Sequence, residues 1–324
     1  MHQLWGTRAG AAVLVLAGSK MDALIRCVEA LCKRLQPCIA GFEDKETTRL
    51  GDREIEKAAP IWPLGKNPAM DAHAAAIAKI ADYAETGATA PTDADYTAAG
   101  VNGVTSANVG AINSAINAQA GADTTVGNAN DRDGADTAAK VQTIVDAYKD
   151  ILVAADGTDA NTSGAAIPGQ ADYQAIGITG ATTDSAALLS DVIDGKANAD
   201  VDTVTEVQTL ADAAKAAVTY TAANGQTAPT AAQLNVLLAG QTSGGSAVPA
   251  VTADNQAAVQ AAVAAANASA PAIASQSELA DVVKAAVDAY AAAIDKIADY
   301  AETGAVAPAY TDYAAAGVIG VDAT

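Results

Sequence analysis

The chain has 324 residues, enough for two or three ordinary domains, and is 51% hydrophobic but only 4% aromatic. Alanine supplies much of that hydrophobic share, so helices form easily but can assemble only thin cores, which disfavours a large enzyme with a deep pocket. The net charge of −20 repels nucleic acids and anionic lipids, and nucleic-acid binding is therefore excluded as a function.

The first 69 residues differ in composition from the rest of the chain. They carry a net charge of +2 and contain all three cysteines, both tryptophans and the single phenylalanine, whereas residues 70–324 carry a net charge of −22. This contrast predicts a boundary near Pro68–Met70. The spacing of the cysteines, Cys27, Cys32 and Cys38, matches no zinc or iron–sulfur pattern, and we expect buried or free thiols.

Within this leader, Met21–Gln36 has the apolar spacing of an amphipathic helix, which we expect to pack on another helix. The apolar run Ala9–Gly18 fits a weak signal-peptide core, a buried strand or helix segment, or an unstructured leader. No segment of the sequence reaches the length of a transmembrane helix, so membrane insertion is not expected.

The remainder of the chain repeats itself. Residues 74–91 and 291–308 are identical at 16 of 18 positions, and the offset of 217 continues through the pairs Tyr96/Tyr313 and Gly100/Gly317. A weaker copy at an offset of 77 aligns Tyr173–Gly180 with Tyr96–Gly103. The segment Ala228–Thr230 repeats Ala90–Thr92 and places Leu234 where the first copy has Tyr96.

These echoes divide the chain into five parts. We predict a leader at 1–69, three helical repeats at 70–157, 158–223 and 224–304, and the truncated start of a fourth repeat at 305–324. The sequence therefore resembles part of a longer array, in which neighbouring repeats of the parent chain are partners.

Each repeat follows one local pattern, most easily traced in the first copy. We predict a helix that ends before a glycine, a turn element containing a tyrosine and two glycines, a capped second helix, a polar loop and a capped third helix. In chain order these are Ala74–Thr86 with Gly87, Pro91–Gly103, Ala107–Ala118 capped by Thr105, Gly121–Gly134, and a helix from Asp136 or Thr137 to about Ala155.

The third helix has the clearest α-helical period. Its apolar stripe comprises Val141, Ile144, Val145, Tyr148, Ile151 and Leu152. A similar stripe runs through 279–297, and because no Pro or Gly occurs from Ala272 to Thr303, we predict one long helix shared between neighbouring repeats. The expected fold is all-α: an elongated series of tandem three-helix bundles joined by shared helices. The alternative is partial disorder in Ala88–Ala99 and Gly240–Val251.

Three segments carry a resemblance to a known kind of module. The turn Tyr96–Val101, the helix Ala111–Asn117 and the stripe Val141–Leu152 are similar to the GA-type, albumin-binding-like three-helix modules of bacterial surface proteins. The larger pattern resembles the repeat region of a long, acidic bacterial adhesin. The resemblance implies the three-helix fold and an extracellular or cell-surface setting in bacteria, and no ligand or binding residue is carried over from it.

The sequence does not predict catalysis, since catalytic groups must converge in a site protected from water. His73 is the only histidine of the array, and the carboxylates of Asp82 and Glu85 lie three residues apart on what we interpret as a solvated helix face. The loop Asn128–Gly134 lacks ligands at both ends of an EF-hand register, and Asp156–Asp159 is similarly incomplete. We expect no catalytic, cofactor-binding or metal-binding residue.

The expected function is a non-enzymatic extracellular repeat segment that acts as a spacer or stalk of a bacterial surface adhesin. The alternative is a binding module whose exposed helix faces recognise a host protein, a glycan or another surface.

Overall fold

A computed structural model describes residues 68–119, 134–158, 167–223, 225–269, 272–304, 306–318 and 320–321. The chain divides into two units between Gly65 and Lys66, and all of these residues belong to the second. The predictions for Cys27, Cys32, Cys38, Ala9–Gly18 and Met21–Gln36 therefore lie outside the described residues. So does the polar loop, except for Gly134.

The described residues are mostly helical, as the alanine-rich composition predicts. Their eleven α-helices are α1 (Pro68–Thr86), α2 (Asp93–Ala98), α3 (Val109–Ala118), α4 (Ala138–Ala154), α5 (Gln170–Ala175), α6 (Thr183–Asp194), α7 (Val204–Thr219), α8 (Ala231–Leu237), α9 (Gln256–Asn267), α10 (Gln276–Thr303) and α11 (Tyr310–Ala315). A 3-10 turn (Asn198–Asp200) precedes α7, and strands β1 (Thr242–Ser243) and β2 (Ser246–Ala247) form an antiparallel hairpin between α8 and α9.

Along the chain, a long helix, a short helix and a helix of intermediate length follow one another repeatedly. The long helices α1, α4, α7 and α10 are each followed by a short helix that packs on them, namely α2, α5, α8 and α11. The intermediate helices α3, α6 and α9 each pack on the long helix that comes next. As a result, α4, α7 and α10 contact helices on both sides of them in the sequence.

The helix ends follow the predicted local chemistry. Gly87 and Gly304 adopt positive φ values of 65° and 68° and donate their N–H groups to the carbonyls of Tyr83 and Tyr300. Glycine tolerates this left-handed conformation because it has no Cβ, so it ends a helix at low cost. The predicted single long helix is confirmed as α10, whose first turn is capped by Ser275.

The apolar stripe of the third predicted helix is confirmed in α4. Five of its members are buried, and Leu152 is half-buried against the same core. Of the two candidate caps, Thr137 is the N-cap, and its side chain accepts a hydrogen bond from the Lys140 N–H.

Two local predictions were wrong. Thr105 does not cap the second helix, which begins at Val109; its amide instead bonds the Asn108 side chain in the turn before that helix. The predicted turn element contains the helix α2, since Thr92 and Asp95 form a reciprocal capping box. Of the two segments for which partial disorder was the alternative, Ala88–Ala99 contains α2 and Gly240–Val251 contains the β1–β2 hairpin.

The buried residues form one contiguous cluster that extends from Ala76 to Val287. Alanine, valine, leucine and isoleucine make up most of it, and its largest buried side chains include Tyr96, Tyr148 and Tyr173. Alanine removes little area from water, so each of these tyrosines buries far more area than any of the alanines in the cluster.

Candidate functional site

The residues that catalysis or metal binding would use do not converge in the described residues. His73, Asp82 and the equivalent Asp299 are exposed on α1 and α10. Asp156 accepts hydrogen bonds from the Thr158 amide and hydroxyl in a local turn. Within the described residues, no three histidine, cysteine or acidic side chains lie where they could hold a metal ion together.

The most elaborate polar contact of the first copy is buried. The Tyr96 hydroxyl donates to Asn113 Oδ1 at 2.7 Å, and Asn113 Nδ2 donates to the Pro91 carbonyl at 2.9 Å. Burial, with smaller effects of Tyr83 and Asp95, raises the pKa of Tyr96, so the phenol stays protonated and able to donate. The pair fastens the start of α2 to the middle of α3.

The same contact recurs 77 residues later with other side chains. The Tyr173 hydroxyl bonds Ser190 Oγ at 2.8 Å, and Ser190 donates to the Pro168 carbonyl. In the next copy the tyrosine is replaced by Leu234, which is fully buried, and Gln260 Nε2 donates to the Pro229 carbonyl at 2.8 Å. A polar side chain of the intermediate helix thus holds a proline carbonyl each time.

A second recurring contact joins a glutamine of the long helix to the turn that follows the short helix. Gln142 accepts from the Asn102 N–H at 2.8 Å and donates to the Asn102 carbonyl at 3.1 Å. Gln208 makes the same pair of bonds to Thr179, at 2.8 and 3.0 Å. Each glutamine satisfies a backbone donor and acceptor that lack a helix or sheet partner.

A third recurring contact joins helices that are far apart in the sequence. The Val204 N–H, at the start of α7, donates to Ser114 Oγ of α3 at 2.9 Å. The Gln276 N–H, at the start of α10, donates to Asp191 Oδ2 of α6 at 2.7 Å. Both side chains satisfy amides that have no partner within their own helix, and the Asp191 carboxylate also suits the positive end of the α10 dipole. We call these two contacts the joint caps.

Other bonds support the same joints. The Tyr148 hydroxyl of α4 donates to the Val201 carbonyl before α7 at 2.9 Å. Gln119 Nε2, just after α3, donates to the Ala175 carbonyl at the end of α5 at 3.1 Å. Lys196 Nζ donates to the Val236 carbonyl of α8 at 3.2 Å. These contacts fix the relation between successive sets of helices, and we take the joints as the candidate functional site.

Sequence analysis missed the residues that form the joints, although a signal for them was present. The offset of 77 that aligns Tyr96 with Tyr173 also aligns Asn113 with Ser190 and Ser114 with Asp191. Extending the alignment beyond the glycines shows two adjacent polar positions at corresponding places in α3 and α6.

A groove of about 820 Å³ lies beside the first joint, between α3, α4, the 3-10 turn and the start of α7. Its wall combines the exposed apolar side chain of Val153 with the charged groups of Lys149, Asp156 and Asp202. Desolvation by neighbouring protein atoms, together with the nearby Glu206 carboxylate, raises the pKa of Asp202. The Thr203 hydroxyl in this wall bonds Glu206 as part of the α7 cap, so it serves structure here.

Comparisons with protein-family models, with characterised proteins and with solved structures found no match to this chain. Within the described residues, no helix combines the length and the apolar character that crossing a membrane requires.

Proposed function

We propose that residues 70–324 form a tandem array of three-helix units joined by shared helices, and that the array is a non-enzymatic spacer of a bacterial surface adhesin. The observation that carries the proposal is the recurrence of the joint caps, from Ser114 to α7 and from Asp191 to α10. Because the same kind of joint occurs twice, an array of this kind can be lengthened by adding further units, as in repeat proteins.

The chemistry of the array supports this role. It contains no cysteine and carries a net charge of −22, so no disulfide crosslinks it and its charged surface repels other copies of the array. Several hydroxyl and carboxylate groups that could serve chemistry are engaged as helix caps, such as Thr92 with Asp95 and Thr203 with Glu206. The proposed location is the outside of a bacterial cell, and the proposed partners are neighbouring units of a longer chain.

Small-angle X-ray scattering of the full chain tests the spacer role. A compact protein of this length has a radius of gyration of about 20 Å, and we expect a clearly larger value. The informative comparison is a chain in which residues 137–202 are duplicated after Asp202, which keeps the register of the Thr137 and Thr203 caps. We expect its maximum dimension to increase by one unit, with the leader contributing equally to both samples.

A radius of gyration near the compact value that barely changes on duplication would reject the spacer role. Circular dichroism of both chains shows whether the added residues are helical.

A second candidate function, recognition of a host protein or glycan, is favoured by the groove beside the first joint. Its exposed Val153 offers an apolar contact among charged groups, which is the composition of a small binding site. Serum albumin serves as the test protein because of the resemblance to albumin-binding-like modules: surface-immobilised chain should capture it, and a Val153→Asp variant should not. Equal signals from the two would dismiss the groove as the site.

A further inference from the structure

Two nearly identical segments of this chain lie in different surroundings. Residues 74–91 belong to α1 and the turn before α2, and residues 291–308 belong to α10 and the turn before α11. They are identical at 16 of 18 positions, so any difference in burial between them comes from what packs on them.

Their local structures are the same. Lys79 bonds Asp95 at 2.5 Å in the first copy, and Lys296 bonds Asp312 at 2.5 Å in the last. The N–H of Val101 donates to the Tyr96 carbonyl at 2.9 Å, as the N–H of Val318 does to that of Tyr313. The last copy therefore holds the same helix–turn–helix geometry as the first.

The exposure of the two copies differs strongly. Val101 is 3% exposed but Val318 is 45% exposed, and the fully buried Ile80 corresponds to Ile297, which is half-buried. Ala81 and Ala84 are buried, whereas their counterparts Ala298 and Ala301 are exposed. The exposed or half-buried members of the last copy are Ile294, Ile297, Ala298, Tyr300, Ala301, Tyr313 and Val318. We call them the α10–α11 face.

The first copy shows what covers this face. The helix α3 packs on α1, and its buried residues include Ile112, Asn113 and Ile116. Asn113 accepts a hydrogen bond from the Tyr96 hydroxyl and donates one to the Pro91 carbonyl. In the last copy, Tyr313 corresponds to Tyr96 and Pro308 corresponds to Pro91. The helix α3 carries no charged residue, and its contact with α1 and α2 is formed by apolar side chains and the Asn113 amide.

We propose that the α10–α11 face is a docking surface for a protein segment with the chemistry of α3 followed by α4. Such a segment is an uncharged helix with isoleucines at the spacing of Ile112 and Ile116 and an amide side chain beside the first. A second helix with an apolar stripe like that of α4 completes it.

A second copy of this chain fits the face less well. Its own α3 is already seated on its own α1, and two α10–α11 faces placed together would supply no amide for the Tyr313 hydroxyl or the Pro308 carbonyl. Buried polar groups without partners cost about 1–3 kcal/mol each, which disfavours that pairing.

The test uses the full chain with residues 108–158 appended after Thr324, which continues the 217-residue register. Hydrogen exchange of the amides in 294–318 is measured with and without the extension. We expect these amides to slow by about tenfold or more, towards the rates of 77–101, because docking suppresses local opening. The matched control is the same extension carrying Ile112→Asp and Ile116→Asp in the appended copy.

A Tyr313→Phe substitution in the extended chain should remove part of the added protection while leaving the unextended chain unchanged. Unchanged exchange in 294–318, equal protection by the control extension, or an appended segment whose own amides stay unprotected would each overturn the proposal. So would dimerisation of the unextended chain that by itself protects 294–318 and is lost on dilution.

The inference rests on the repeat organisation proposed above but not on the spacer role. Compact scattering would reject the spacer role without altering exchange in 294–318, and failed docking would leave an elongated scattering profile intact.

Discussion

At the scale of single residues, the buried polar contacts of the intermediate helices have the greatest energetic consequence. Asn113 is 8% exposed and serves two groups that no other described side chain bonds, the Tyr96 hydroxyl and the Pro91 carbonyl. Removing a partner from buried polar groups costs more than the net value of the bonds, because the remaining groups stay desolvated.

We therefore predict that Asn113→Ala lowers the free energy of unfolding by about 2–3 kcal/mol. Asn117→Ala is the matched control, since Asn117 is exposed on the same helix and the same gain in helix propensity applies to both. Urea unfolding followed by circular dichroism measures the difference. Equal midpoints for the two variants would contradict the role of the buried amide.

The protonation state of Asp95 makes the stability of the folded chain depend on pH in the acidic range. Although partial burial acts in the opposite direction, hydrogen bonds from Lys79 and from the Thr92 backbone and side chain lower the pKa of Asp95 from 3.8 to about 2. Since the folded-state pKa lies below the unfolded one, the stabilisation is complete above about pH 4 and is lost as the pH falls towards 2.

We predict that Asp95→Asn removes this part of the acid sensitivity. The parent chain should lose stability relative to the variant between pH 4 and pH 2, as measured by thermal midpoints across that range. Asp254→Asn, at an exposed carboxylate in another unit, is the control and should follow the parent chain. A constant difference between Asp95→Asn and the parent at all pH values would show that Asp95 does not titrate in this window.

At the scale of elements, the long helices α4, α7 and α10 contact helices that precede them and helices that follow them in the sequence. The helix α10 runs for 28 residues and contacts both α9 and α11, the latter through the Lys296–Asp312 ion pair near its C-terminal end. Its first amide is satisfied by Asp191, a residue 85 positions earlier, so the helix start is positioned by α6 as well as by Ser275.

We predict that Asp191→Ala destabilises the start of α10 by about 1 kcal/mol, the usual value of a lost cap. Hydrogen exchange of residues 276–280 should accelerate accordingly. Asp191→Asn keeps an oxygen acceptor and loses only the charge, and it should retain most of the protection. Exchange that is as slow in Asp191→Ala as in the parent would mean that this joint cap adds nothing to the helix.

The element boundaries show how far local sequence rules reach. Gly87 was predicted correctly, and Thr137 was one of two predicted caps, because glycine in the left-handed region and threonine capping act within one turn of helix. The helix α2 was taken for a turn because six residues are too few for a visible period. Its capping box, Thr92 with Asp95, was the available signal.

At the scale of the whole molecule, one cluster of buried residues extends from Ala76 to Val287, although each alanine-rich helix has little apolar area to bury. The long helices contribute to this because α4, α7 and α10 each face helices on both sides of them. A core assembled in this way couples neighbouring sets of helices, so alanine-rich segments that would be marginal alone stabilise one another.

The sequence by itself determined the helical class, the apolar stripe of α4, the unbroken helix α10 and the relation between the copies. These follow from propensity, periodicity and glycine conformation, which act over a few residues. Only the tertiary structure decided which copies are covered. Val101 and Val318 both follow an Ala-Ala-Gly sequence, yet one is buried and the other exposed, because burial depends on helices that arrive from elsewhere in the chain.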